Sequence, residues 1–298
     1  MTTMTTNAAA TAKSTGASGL TFAGVLRSEW IKLRSLRSTM WCYIIIVLLT
    51  VGLGLLIAAA VPAIKGVASH DSQQSTWVTA ATLGIGFGQL VSAVLGALVI
   101  TGEYGTGMIR STFAAVPKRL PAIIAKVLVF GVSTFVVGLV SLIAAALVTA
   151  PLLPAKGVHP DFGDGAVWLA LIGGAGYLAL IGVLSLGIGL ILRNSAGSIA
   201  ASLGLVLVVP IILQVLARVT QAEWPGNIAA FLPSDAGSKL YAYPAAAQTV
   251  TSRSGAGGAA GTAIQNITLD SWQGLLVLLG WFAVAFVVGA ILVKRRDA

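Results

Sequence analysis

Long apolar runs separated by short polar segments dominate the hydropathy pattern of this chain. Six runs are about twenty residues or longer, and they cover 41–62, 77–101, 122–150, 166–192, 198–218 and 273–293. A helix of that length crosses the hydrocarbon core of a bilayer, which is roughly 30 Å thick. None of the runs shows the period-two alternation of a membrane β-barrel strand. The pattern predicts an all-α polytopic membrane protein with six transmembrane helices.

The segment 20–38, which precedes the first run, has an amphipathic pattern. Six apolar side chains fall on one arc of a helical wheel: Phe22, Val25, Leu26, Trp30, Leu33 and Leu36. Arg27 and Arg34 fall on the other side, so we expect an interfacial helix on the cytoplasmic leaflet. Glu29 interrupts the apolar arc, and we expect it to pair with Lys32, three residues further on. Residues 1–19 are mostly Thr, Ala, Ser and Gly and are predicted to be a disordered tail.

Charge strengthens the membrane prediction and gives an orientation. Only 9% of the residues are charged, compared with about 25% in a soluble domain. With a cytoplasmic N-terminus, thirteen of the 18 Lys and Arg residues fall on the inner side, as the positive-inside rule requires. This places both termini in the cytoplasm, leaves 219–272 as an external loop of a six-span domain over 39–298, and suggests the cell membrane. We therefore attribute the net charge of +9 to the orientation of the chain in the membrane and not to nucleic-acid binding.

The sequence shows no motif for chemistry of its own. It has no GxxxxGK[ST] phosphate-binding loop, and His70 and His159 stand in outer loops without the partners of a metal site. No catalytic, cofactor-binding or metal-ligating residue is predicted. The span interiors contain no ionisable side chain, which disfavours ion coupling. Their two strongly polar residues, Gln89 and Gln214, are candidates for a translocation path.

Small residues recur every fourth position in the second span. Gly84, Gly88, Ser92 and Gly96 form this small-residue stripe, which allows another helix to approach closely. The contact could be a dimer seam or could lie within the subunit, and we favour the second. In the fifth span Pro210 removes a backbone donor, so we expect a kink there.

A polar segment, "TGEYGTGMIRSTFAAVPKR" (101–119), separates the second and third spans. We expect Thr106 to cap a short helix over 107–115, which Pro117 terminates. One face of this helix would carry Met108, Ile109, Thr112, Phe113 and Val116. That face suggests docking into a cytoplasmic partner; the alternative is a helix that lies on lipid headgroups.

Three segments together resemble the ABC-2 type transporter permeases, particularly the small actinobacterial ones. They are "LRSEWIKLRSLRST" before the first span, "GEYGTGMIRSTFAAVPKR" after the second, and "FLPSDAGS" in the last outer loop. The resemblance implies the membrane-spanning subunit of an ATP-binding-cassette exporter that works by alternating access. It also implies a second permease copy or paralogue, and separate ATPase subunits that hold ATP and Mg, with no cofactor on this chain.

The resemblance makes the helix after the second span the coupling helix. The residues expected to make or support the contact with the ATPase are Glu103, Met108, Ile109, Arg110 and Phe113. The resemblance does not identify the substrate. The alternative from another class is a non-transporting membrane scaffold or sensor that recruits a cytoplasmic partner. A passive channel is disfavoured because two glutamines are too few polar side chains for a pore lining.

Overall fold

A computed structural model describes residues 21–62, 68–115, 119–244 and 267–295. This part of the chain is built from helices, whose bounds are α1 (Phe22–Ser35), α2 (Arg37–Ala60), α3 (His70–Thr82), α4 (Ile85–Gly105), α5 (Met108–Ala115), α6 (Arg119–Thr149), α7 (Gly165–Leu192), α8 (Ser195–Leu203), α9 (Val209–Thr220), α10 (Glu223–Ala230), α11 (Pro233–Tyr241) and α12 (Ser271–Arg295). Six segments are long and apolar enough to span a membrane. The predicted all-α, six-span architecture is confirmed. The predicted tail 1–19, Pro117 and the middle of the loop 219–272 lie outside the described residues.

The fourth span, α7, is the central helix of the bundle. A larger share of its apolar stretch is buried than in any other span of the described chain, and α4, α6, α11 and α12 all pack against it. The small-residue stripe of α4 makes its contacts inside the subunit. A Cβ at Gly96 would overlap the Gly182 carbonyl of α7, and the Ser92 hydroxyl donates to the Leu178 carbonyl at 2.7 Å.

The second span is not the single helix that the sequence predicted over 77–101. It begins earlier, at His70, and divides into α3 and α4 around Leu83 and Gly84. Backbone bonds from Gly86 to Leu83 and from Phe87 to Gly84 tighten the chain at this point. The reason is close packing, because a Cβ at Gly84 would overlap the backbone of Thr50 on α2.

Pro210 predicted a kink in the fifth span, and the structure shows an irregularity of another kind there. Between α8 and α9 the segment Gly204–Val208 is a turn of π-helix. Proline has no N–H, so the carbonyl four residues before it loses its normal helical partner. The wider π hydrogen bonding accommodates that loss within a continuous span.

The described part of the segment between the fifth and sixth spans is helical and packs against the bundle. Helices α10 and α11 form an outer hairpin in which α11 packs on α7 and α12 and α10 packs on α9. The Trp281 indole donates to the Phe231 carbonyl at 2.9 Å, ten residues and therefore about 15 Å along α12 from its outer end. A Cβ at Gly237 would overlap the Tyr177 ring, near the middle of α7.

This hairpin also places an ionisable group beside the spans, which the sequence analysis did not anticipate. It carries Asp235, whose Oδ2 is buried without a hydrogen-bond partner. The residue was missed because it lies in a polar sequence segment and not in an apolar run.

Candidate functional site

Four helices meet at the end of the bundle that the charge distribution predicts to be cytoplasmic: α1, the end of α4, α5 and the start of α6. Thr106 is the C-cap of α4, and its N–H and hydroxyl both donate to the Gly102 carbonyl. Gly107 then takes a φ of 73°, a left-handed conformation that glycine adopts without steric penalty, and α5 begins at Met108. The short helix therefore begins within one residue of its predicted start, about Gly107, and ends at the predicted Ala115, whereas Thr106 caps the end of α4 and not the start of α5.

Four charged side chains at this junction form an ionic cluster: Glu29 and Lys32 of α1, Glu103 of α4 and Lys126 of α6. The Lys126 ammonium lies 2.5 Å from Glu29 Oε2 and 2.8 Å from Glu103 Oε1. The Lys32 ammonium lies 2.7 Å from Glu29 Oε1 and 3.2 Å from Glu103 Oε1. Each cation therefore bridges the same two carboxylates, and the formal charges of the cluster sum to zero.

The cluster is buried, and its burial determines the free energy that is lost when one partner is removed. Glu29, Glu103 and Lys126 are only 3%, 4% and 6% exposed. Buried charges are tolerated when they are paired and hydrogen-bonded, and removing one partner typically costs about 3–5 kcal/mol. These contacts therefore hold α1, α4 and α6 in one arrangement.

Lys32 extends the cluster to the short helix α5. Its ammonium donates to the Thr112 hydroxyl at 3.2 Å. Partial burial disfavours the charged form of Lys32, but the hydrogen bonds and negative charges of Glu29 and Glu103 outweigh that effect and raise its pKa above the ordinary value. Lys32 is therefore a stable cation that links α5 to α1.

Sequence reasoning identified only part of this cluster. It anticipated the Glu29–Lys32 pair, but it treated Glu29 as a flaw in an apolar arc. In the structure Glu29 lies between Val25 and Leu33 on the buried face of α1. Lys126 was counted only for topology, although a base inside the apolar run 122–150 was a signal that it needed a buried carboxylate partner.

The expected coupling residues lie in two different environments. Glu103 belongs to the buried cluster, and Ile109 is buried in an apolar cluster that also includes Leu33. Met108 is 39% exposed at the start of α5. Arg110 and Phe113 are on α5, but their side chains are outside the described part of the structure.

The two glutamines expected on a translocation path do not come together. Gln89 Oε1 accepts a hydrogen bond from the Tyr177 hydroxyl of α7, and its Nε2 donates to the Gly86 carbonyl at 3.0 Å. Gln89 thus connects α4 with the central helix. Gln214 is exposed on α9.

Two arginines hold the C-terminal end of the last span next to this junction. Arg119 donates to the Val293 carbonyl at 2.9 Å, and Arg193 donates to the Leu292 carbonyl at 3.4 Å. The Arg193 guanidinium also lies 5.2 Å from the ring centroid of Tyr104. Cations at a helix C-terminus interact favourably with the exposed carbonyls and the helix dipole, so these contacts hold α12 to α4, α6 and α7.

The described chain is thus a polytopic membrane protein with six spans, an amphipathic N-terminal helix held to the second and third spans by ion pairs, and a short helix joined to that N-terminal helix by a hydrogen bond. Residues 23–298 match the family described as ABC-2 family transporter protein. The chain belongs to this family. It is a membrane permease of an ABC transporter, and membership implies association with an ABC ATPase and with the membrane. No match was found among curated proteins.

Proposed function

We propose that this chain is the permease subunit of an exporter that works by alternating access. Two permease chains, identical or paralogous, would pair in the cell membrane with all termini in the cytoplasm. Separate ATPase subunits would hold ATP and Mg. The observation that carries this proposal is the ionic cluster, because it connects α5 to α1 and, through α4 and α6, to the second and third spans.

The junction gives a physical route for force. An ATPase that presses on α5 contacts it from the cytoplasm through Met108, Arg110 and Phe113. Movement of α5 then passes through the Thr112–Lys32 hydrogen bond to α1. The contacts of Lys126 with Glu29 and Glu103 carry it to α4 and α6, since breaking a buried ion pair costs about 3–5 kcal/mol.

Within this mechanism the expected coupling residues have two roles. Met108, Arg110 and Phe113 make the contact with the partner, whereas Glu103 and Ile109 transmit its movement inside the subunit. Gln89 and Gln214 remain the candidates for polar contacts along the translocation path. The polarity of these two residues does not by itself identify the substrate.

The experiment is a pull-down with the ATPase subunit, comparing the wild type with Phe113→Ala. Truncating a desolvated aromatic anchor commonly costs at least about 2 kcal/mol, which is roughly thirtyfold in affinity. We expect Phe113→Ala to reduce both co-purification and substrate-stimulated ATP hydrolysis, with expression and monodispersity unchanged. Ser111→Ala, at an exposed position of α5 with no assigned coupling role, is the matched control and should leave both readouts unchanged.

Undiminished binding and coupling in Phe113→Ala would refute the docking role of α5 and favour a helix that lies on lipid. A partner that binds normally while ATP hydrolysis never responds to any substrate would favour the scaffold or sensor function.

A further inference from the structure

A cavity of about 300 Å³ lies between α1 and the helices α2, α4 and α6, next to the ionic cluster. Its walls come from α1, α2, α4 and α6 and are mainly apolar, with Leu33, Leu95, Val99 and Phe130 among the lining residues. The volume is at the lower end of the range for ligand pockets, roughly 300–1,000 Å³.

The cavity opens where the chain passes from α1 into α2. Leu36, Ser38 and Met108 line it and are exposed to the surface. Ser38 is in the first turn of α2, so the opening is at the cytoplasmic boundary of the first span. In the proposed orientation of the chain, an apolar molecule in the inner leaflet can reach this opening without crossing the bilayer.

Two buried polar side chains that line the cavity have an unsatisfied oxygen. Thr39 Oγ1 and Glu103 Oε2 have no hydrogen-bond partner in the described structure, although Thr39 and Glu103 are only 2% and 4% exposed. A buried acceptor without a donor is unfavourable by about 1–3 kcal/mol. A hydrogen-bonding group from a ligand would therefore satisfy each of these atoms.

The hydrogen-bond inventory of the cluster specifies that group. An ammonium has three N–H donors. Lys32 directs them to Glu29, Glu103 and Thr112, whereas Lys126 donates only to Glu29 and Glu103. One donor of Lys126 and one acceptor of Glu103 remain, so a ligand group that both donates and accepts would satisfy both.

The ligand group should also be neutral. The ionic cluster already has two negative and two positive charges, and an additional unpaired charge in a buried site is strongly unfavourable. A hydroxyl is neutral, donates and accepts. A water molecule would satisfy the same atoms but would leave the apolar walls of the cavity without contacts.

We infer that this cavity binds one neutral single-chain amphiphile from the cytoplasmic leaflet, with its hydroxyl at Glu103 and Lys126 and its alkyl chain along Leu98, Val99 and Val129, the more accessible apolar lining residues. The site lies within a single subunit. It does not depend on export or on the partner ATPase, so it can be tested with the full-length permease chain alone.

The test uses a photoreactive diazirine derivative of decanol and the full-length chain in lipid nanodiscs, with peptide mapping of the label. We expect saturable labelling of the peptides that contain Leu95–Gly102 or Val129–Phe130. Unlabelled decanol should compete. Decyltrimethylammonium and decyl sulfate, which have the same chain and a charged head, should compete at least about tenfold more weakly.

Gly102→Leu provides a variant that fills the cavity. Gly102 lines the cavity, and a Cβ there meets no atom within 4 Å, so the new side chain should occupy the space without disturbing the backbone. We expect labelling to fall by at least about tenfold. Gly86→Leu is the matched control on the same helix, because its Cβ also meets nothing within 4 Å and it does not line the cavity.

Thr39→Val keeps the shape of the cavity and removes one hydroxyl, which covers the case that Gly102→Leu fails to fold. We expect it to weaken competition by decanol roughly two- to twelvefold. Non-saturable labelling, equal competition by charged and neutral heads, or wild-type labelling in the folded cavity variants would each overturn the inference. Those results would mean that water alone occupies the site.

Discussion

Replacing Lys126 with methionine removes one of the two cations of the ionic cluster and leaves the rest of the junction in place. Methionine has a similar length and no charge, so the change tests electrostatics more than packing. Glu29 and Glu103 would then share Lys32 alone, with one negative charge uncompensated in a buried site.

The distances give the magnitude of this effect. Opposite unit charges 2.8 Å apart, the distance from Lys126 to Glu103, attract by roughly 6 kcal/mol at an effective dielectric constant of about 20. Desolvation of the ions offsets much of this attraction. The net loss on removing one partner of a buried pair is about 3–5 kcal/mol, and we expect it to appear as weaker docking of α1.

A reporter thiol measures this docking directly. Val25 is buried on α1, against Ala122 and Ala125 of α6, so a Val25→Cys thiol reacts only when α1 moves away. The natural Cys42 would be replaced by alanine. A loss of at least about 3 kcal/mol should accelerate modification by about 100-fold or more.

Two controls make this result specific. Arg34→Met removes an exposed cation from the same helix and should leave the rate unchanged. Glu29→Gln combined with Lys126→Met restores charge balance, and should be at least about tenfold slower than Lys126→Met alone, as a double-mutant cycle for coupled residues requires. A Lys126→Met rate equal to the wild type would show that the ionic cluster does not hold α1, and the transmission route would fail with it.

Three further predictions concern packing, pH and topology. Gly96→Ala should lower thermal stability by about 1–3 kcal/mol through overpacking on an α7 carbonyl, whereas Gly86→Ala, which meets no neighbouring atom, should have little effect; equal melting profiles would contradict the packing. Because the folded pKa of Lys32 is raised, its contribution to stability should be complete below pH 10.5 and be lost at higher pH. The melting-temperature difference from Lys32→Met should therefore shrink only above that pH. An impermeant thiol reagent applied outside should label Ser254→Cys and not Ser111→Cys; the reverse pattern would invert the topology.

The six spans could be predicted because each one has a continuous apolar run, and the length of a run relates directly to membrane thickness. The break at Gly84 could not, because its cause is the approach of Thr50 from another helix. The ionic cluster could not be predicted either, because it also depends on contacts between different helices. Glu29 and Lys126 are 97 residues apart, and only the packing of α1 on α6 brings them together.

The coupling segment was predicted in outline and not in detail. A glycine-rich polar interruption indicated a short helix, but Thr106 served the preceding helix because Gly107 reverses the chain after it. The sequence placed Glu103 among the residues expected to contact the ATPase, but its burial in the ionic cluster depends on tertiary structure. Nothing in its local sequence shows that two lysines from other helices would enclose it.

The outer hairpin imposes an order on the assembly of this protein in the membrane. Its two helices, of eight and nine residues, are too short to be inserted as spans, and Asp235 disfavours their entry into lipid alone. α11 packs on both α7 and α12, and α12 follows it in the chain, so α11 can reach its final place only after α12 is present. The outer half of the bundle therefore closes after the sixth span has been inserted, while the cytoplasmic junction, whose charges all come from residues before 127, can form much earlier during synthesis.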